Sequence, residues 1–192
     1  MMYALQDYVG EEKLNEQLAS FIDSFALRQQ GLYPSSADWY TFIQAATPDS
    51  LKYFLKESFE EITLYENRAV AATATLLEPT QLATEAKATA KNTYEVVLKI
   101  DTRKIKYDGN GNELAYPTAP SLIEIAVFGA DGRNAVGKTE KTPLYLEKRW
   151  FTPGEHTITV RVAGEPVMAG VDPYNKLIDR VSEDNLVGVA IE

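Results

Sequence analysis

Apolar residues recur at the helical period through roughly the first 60 positions of the chain and at the strand period beyond them. Leu14, Leu18, Phe21, Ile22 and Phe25 form one stripe of an amphipathic helix. Gly10 closes a preceding helix over Met2 to Val9, and Glu11 and Glu12 sit where the positive end of a helix dipole favours carboxylates. Ser35 with Asp38 three residues on has the spacing of a capping box, ahead of a third stripe formed by Trp39, Phe42, Ile43 and Ala46. Thr47-Pro48-Asp49 offers an N-cap, a proline at the first helical position and an acid at the second, so a fourth helix is expected through Leu51, Phe54, Leu55, Ser58 and Ile62.

From there the period falls to two. Val70, Ala72, Ala74 and Leu76 alternate with their neighbours, as do Tyr94 to Ile100, Ile123 to Val127, Leu144 to Trp150 and Ile158 to Val162. Turn signals separate these runs at Asp108-Gly109-Asn110-Gly111-Asn112, Asp131-Gly132, Thr152-Pro153-Gly154-Glu155 and Gly164-Glu165-Pro166. The Ala/Thr/Lys/Glu-rich stretch from Glu78 to Lys91 reads as a loop. Helices segregate to one third of the chain and strands to the rest, which predicts an α+β class with an antiparallel sandwich. The expected division is a helical segment over 1–65 and a β-sandwich with its tail over 66–192.

Composition changes this picture only by exclusion. The 192 residues carry 28 Asp and Glu against 19 Lys and Arg, a net charge of −9, which leaves no clustered basic surface to track a nucleic-acid backbone. With no cysteine and a single histidine, His156, neither a thiolate zinc site nor a histidine-rich one can be built. No apolar run approaches the roughly 20 residues that span a bilayer, so the chain as given is expected to be soluble.

Five patterns could carry chemistry or binding. Gly132 to Thr139 matches the phosphate-binding loop G-x-x-x-x-G-K-[ST], with Lys138 as its lysine, but that loop needs a helix after it. Here Pro143 and the alternation beyond it predict a strand, so a hairpin is the better reading and nucleotide binding the lesser. Asp108, Asn110 and Asn112 copy the first ligand positions of an EF-hand loop, yet Glu113 and Ala119 stand where its glycine and bidentate glutamate belong. His156 shares the parity of Ile158 and Val160 and reads as a structural residue at a strand's start rather than a ligand or base. The adjacent acids Glu11-Glu12 and Glu60-Glu61 diverge by about 100° on a helix and read as solvated surface. Tyr107, Tyr116, Tyr145 and Phe151 are candidate platform aromatics for a peptide, sugar or protein ligand if the β region is a free-standing binding module.

Four segments resemble a known family. Met2-Tyr3-Ala4-Leu5-Gln6-Asp7-Tyr8-Val9-Gly10-Glu11-Glu12-Lys13-Leu14-Asn15 is similar to the helical stretch after the catalytic tyrosine in aminopeptidase N-type (gluzincin) zinc metallopeptidases, particularly the bacterial kind associated with ABC-transporter permeases. Thr47-Pro48-Asp49-Ser50-Leu51 and Phe59 to Arg68 look like the passage from that family's catalytic domain into a β-sandwich. Ala169 to Arg180, with its Asp172-Pro173, is similar to the closing segment. The resemblance implies a thermolysin-like catalytic domain ending in antiparallel helices, then an immunoglobulin- or fibronectin-like sandwich. It implies zinc in the full-length parent, a parent tethered to a bacterial inner membrane, and the upstream catalytic domain of the same polypeptide as partner, with a homodimer through exposed helices as another partner. Its H-E-x-x-H helix, third ligand and catalytic tyrosine would precede Met1, so no catalytic, cofactor-binding or metal residue carries over; Tyr3 and Tyr8 lie in the helix that follows that tyrosine.

Overall fold

In the computed structural model, residues 2–26, 31, 33–77, 92–133 and 139–192 are described. The loop expected over Glu78 to Lys91 and the centre of the Gly132 to Thr139 segment, residues 134–138, lie outside them. The chain divides into two units, Met1–Thr63 with Tyr107–Gly111, and Leu64–Lys106 with Asn112–Glu192.

The first unit holds the helices. α1 (Met2–Val9) ends where Gly10 turns to φ 103°, a conformation glycine adopts without a Cβ penalty, and its N–H reaches Gln6 O at 2.9 Å. α2 (Glu11–Phe25) starts at once, with the two acids in its first turn. α3 (Ser36–Ala46) carries the capping box: Asp38 N donates to Ser35 Oγ at 3.3 Å and Ser35 N donates back to Asp38 Oδ2 at 2.7 Å. α4 (Lys52–Phe59) follows a 3-10 turn at Asp49–Leu51.

Thr47 departs from its expected role as the N-cap of the fourth helix. It caps the C-terminus of α3, its hydroxyl donating to Ile43 O at 2.7 Å, and no side chain caps α4. A threonine between two helices can serve either, and here its hydroxyl joins its own N–H on the Ile43 carbonyl four residues back. Ile62 likewise opens a strand rather than ending a helix. The unit's core is Ala4, Leu5, Ile43, Phe54 and Leu55, all nearly inaccessible to solvent, with Tyr8 stacked on Phe54 at 4.4 Å and Phe21 edge-on to Trp39 and Phe42.

The second unit is built on a large, curled, mixed sheet. Its strands are β1 (Ile62–Leu77), β2 (Thr93–Tyr107), β3 (Glu113–Ala115), β4 (Ser121–Arg133), β5 (Thr139–Phe151), β6 (Gly154–Ala163), β7 (Met168–Val171) and β8 (Leu186–Ile191). They run in the order β3-β2-β1-β8-β7-β4-β5, and β6 pairs with β2. Together with the four α-helices among the described residues this is the expected α+β class. Antiparallel pairing holds at β2–β6, β4–β5, β4–β7 and β7–β8, but β1 and β8 are parallel, with Ala72 opposite Val189 and Ala74 opposite Ile191. The sheet is therefore mixed rather than purely antiparallel.

Burial follows the pleat on β2 and β6, where Tyr94, Val96, Leu98 and Ile100 meet Ile158, Val160 and Val162 in the core. On β4 it extends to both faces, from Ile123 through Phe128. On β5, last in the strand order, the even positions expected to face inward instead leave Leu146 43% and Trp150 50% exposed.

Candidate functional site

Along β1, odd residues point inward from Thr63 to Ala69, and even ones at Ala72 and Ala74. The parity switch coincides with a break in the parallel pairing. Upstream of it, the segment 178–180 runs beside Tyr65, whose N–H donates to Ile178 O at 2.8 Å and whose carbonyl accepts from Arg180 N at 3.0 Å. Downstream, β8 resumes at Ala72. The offset between partners grows from 114 (Tyr65 to Asp179) to 117 (Ala72 to Val189), so three residues must leave the ladder. A 3-10 turn at Ser182–Asp184 takes up three residues there.

A cavity of about 190 Å³ lies at this break, lined by Glu66, Asn67 and Arg68 of β1, Asp101 and Arg103 of β2, and Asp179, Val181 and Asp184. Asp179 is spent on the backbone, accepting Asn67 N at 2.9 Å and Val181 N at 3.0 Å, and so ties the segment to β1. Glu66 accepts from Arg180 at 2.7 Å. Asp101 has the outward parity of β2 yet is only 5% exposed; its Oδ2 accepts from Arg103 Nη2 at 2.8 Å, with Arg68 Nη2 at 4.0 Å. Asn67 is 1% exposed. Both side-chain polar atoms of Asn67 and the Oδ1 atoms of Asp101 and Asp184 are buried with no hydrogen-bond partner. Burial raises the Asp184 carboxyl above its ordinary value, Asp179 adding to the effect and Arg68 opposing it.

A second polar cluster is closed and fully engaged. Glu124 on β4 accepts from Lys176 Nζ at 2.8 Å, with Lys148 Nζ at 3.7 Å, and its carbonyl accepts from Asp172 N. Asp172, at φ 41°, folds the chain back on itself by accepting Lys176 N at 2.9 Å and Leu177 N at 3.0 Å. Burial pushes its carboxyl up to about 6 from 3.8, against the pull of those two N–H donors and with help from Asp179 and Glu124.

A folded-state value above the unfolded one means that the native chain holds this proton more tightly. The contribution is present in full below about pH 4 and is lost as pH rises through about 6, worth about 3 kcal/mol over two pH units. Urea unfolding of the wild-type chain and of Asp172→Asn should therefore show a stability difference that moves against the wild type by about that amount between pH 4 and pH 7. A difference independent of pH would show that the carboxyl is not raised.

The candidates from the sequence are scattered. Thr139 opens β5, with Arg133 opposite Thr139 in the ladder, so a strand stands where a phosphate loop requires a helix. Asp108 caps a tight turn, accepting Asn110 N at 2.8 Å, with Gly111 at φ 85°. His156 Nε2 lies 2.7 Å from Thr152 O and its ring packs on Phe151, which is a structural role. Tyr3 is exposed, whereas Tyr8 is stacked on Phe54. Phe151 is buried and Tyr145 is bonded to Glu147 and Arg149, so the aromatics do not form one open platform. The cavity residues were not singled out from sequence; the available signal was Asn67, a polar side chain at an inward position between Tyr65 and Ala69.

No protein-family model matches the chain, and no curated protein matches it. Among the described residues, no group of three or more His, Cys, Asp or Glu is placed to hold a metal ion, and no helix is long and apolar enough to cross a membrane.

Proposed function

We propose that this chain is the non-catalytic C-terminal region of a zinc aminopeptidase-like protein, its helices completing the peptidase fold and its sheet serving as an immunoglobulin- or fibronectin-like accessory module. The supporting observation is α2. Its apolar stripe has the composition of a core face, yet only Leu14 of its 15 residues is buried, and Leu18 and Ile22 are 43% and 51% exposed. Met2 and Tyr3 of α1 are exposed as well. A helix patterned for burial on a face left open is what a further helical layer would cover, and the resemblance of residues 2–15 assigns that layer to an upstream catalytic domain. The same surface could be covered by a second copy.

Zinc would belong to that upstream region. This chain's residues do not fit it: the one histidine has its Nε2 at the Thr152 carbonyl, and no described cluster supplies the other ligands.

The test is the reading frame upstream of Met1. An H-E-x-x-H helix followed by a glutamate ligand is expected within a few hundred codons, and a chain that includes it should bind one zinc and cleave N-terminal residues from peptides, which the present chain should not. A frame without that motif would remove the parentage. The alternative of a free-standing binding module is favoured by one observation, the polar cavity beside β1.

A further inference from the structure

β5 is last in the strand order, so one of its two backbone edges faces no strand among the described residues. Such an edge carries a row of N–H and C=O groups ready to pair with another chain, and folded proteins blunt it with prolines, bulges or very short strands. β5 has these guards at one end only. Pro143 and the register shifts of the β4–β5 ladder lie on the Thr139 side of Tyr145, and from Tyr145 to Phe151 the pairing with β4 is regular and free of proline and glycine. Leu146 and Trp150 lie half exposed on one face of this run. Glu147 and Arg149 lie on the other, bonded to each other at 3.0 Å and both open to solvent.

These side chains define the partner. Residues directly opposite across an antiparallel pair share a face and interact, and when two copies of one strand pair about a two-fold axis the sum of opposed residue numbers is constant. An axis through Lys148 sets Glu147 opposite the second copy's Arg149 and Leu146 opposite its Trp150, and the symmetry repeats both pairs. Moving the axis by one residue sets Glu147 or Arg149 against its own copy, and moving it by two leaves both charges opposite uncharged residues. Lys148 meets its own copy at the axis, but its side chain is 24% exposed with Nζ 3.7 Å from Glu124, so its charge is turned toward β4. The run is thus its own complement in charge and in apolar surface.

We propose that β5 pairs antiparallel with β5 of a second copy, with Lys148 on the two-fold axis. A single strand pair with a Leu146–Trp150 contact on each side of the axis lies at the small end of protein interfaces, so the dimer forms reversibly, at about micromolar concentrations or above. The exposed Glu147–Arg149 pair exchanges a partner within the chain for one across the axis, and so selects the register more than it drives association. The pairing involves the β unit alone and is independent of what lies upstream of Met1.

The test is sedimentation equilibrium of the whole 192-residue chain over a range of concentrations. The average mass is expected to rise from the 21.4 kDa of one chain toward twice that value. Glu147→Arg and Arg149→Glu should each weaken association by about tenfold or more, because each sets like charges opposite one another on both sides of the axis. An equimolar mixture of the two variants, and the chain carrying both substitutions, should recover it, since opposite charges then face each other again. Both positions are exposed, and that recovery separates a lost contact from a lost fold. Glu95→Gln, in an exposed pair with Arg161 on β6, should change nothing. A chain that keeps its monomer mass up to about 0.5 mM would overturn the proposal. So would a mixture that associates no better than its components, or association indifferent to both charge reversals, which is the behaviour expected of a dimer formed through the open face of α2.

Discussion

Gly170→Ala is expected to abolish folding of the β unit, with a loss of stability above about 4 kcal/mol. Gly170 lies in the middle of β7, opposite Ala126 of β4 and Leu186 of β8. A Cβ built there would stand 1.9 Å from Asn185 O and 2.9 Å from Asn185 C and Leu186 Cα. These are backbone atoms at the entry to β8, held by the Val171 N–H to Asn185 O bond at 3.0 Å, so relief requires β8 to move away and release its ladders to both β7 and β1. Far-UV circular dichroism and urea unfolding read the result. Gly188→Ala on β8, where nothing lies within 4 Å of the added carbon, is the control and should change stability by no more than about 0.5 kcal/mol. Near-wild-type stability of Gly170→Ala would mean that β7 and β8 do not approach this closely.

The dependence of the fold on that one glycine was not legible in the sequence, and the reason is general to this molecule. Local signals were read correctly because their causes are local. Gly10, the Ser35–Asp38 box and the alternation on β2 and β6 each involve residues within a few positions of one another, and the structure places helices and strands accordingly. The pairing of β1 with β8 joins residues 117 positions apart, Ala72, Thr73 and Ala74 with Val189, Ala190 and Ile191, and nothing local in either triplet selects a partner or a direction. The sequence therefore suggested an antiparallel sheet and missed the parallel one.

The same distance hid the cavity. Asn67, Asp101 and Asp184 come together only because the parallel ladder breaks over three residues, and in the sequence Asp101 and Asp184 look like the outward face of any solvated strand or turn. Misreadings closer to hand have other causes. The even face of β5 is apolar, but a strand last in the order has neighbours on one side, so Leu146 and Trp150 remain half exposed. Thr47 had two helices to serve and capped the earlier one.

The buried pair Glu124–Lys176 carries the second large expectation. Both side chains are about 5% exposed, and their 2.8 Å contact bridges β4 to the Asp172–Leu177 turn. Replacing Glu124 by leucine removes one charge and leaves the Lys176 ammonium desolvated beside Tyr174, whose ring face at 5.3 Å cannot replace a carboxylate. The expected loss is about 3–5 kcal/mol, and Lys176→Met should cost less because Lys148 at 3.7 Å still compensates Glu124. The double replacement, which leaves two apolar side chains in contact, should recover most of the loss, so the cycle should give a coupling of about 2 kcal/mol or more. Denaturant unfolding of the four proteins measures it. Additive losses would show that Glu124 and Lys176 act independently, with the turn held instead by the Asp172 carboxylate on its two backbone N–H groups.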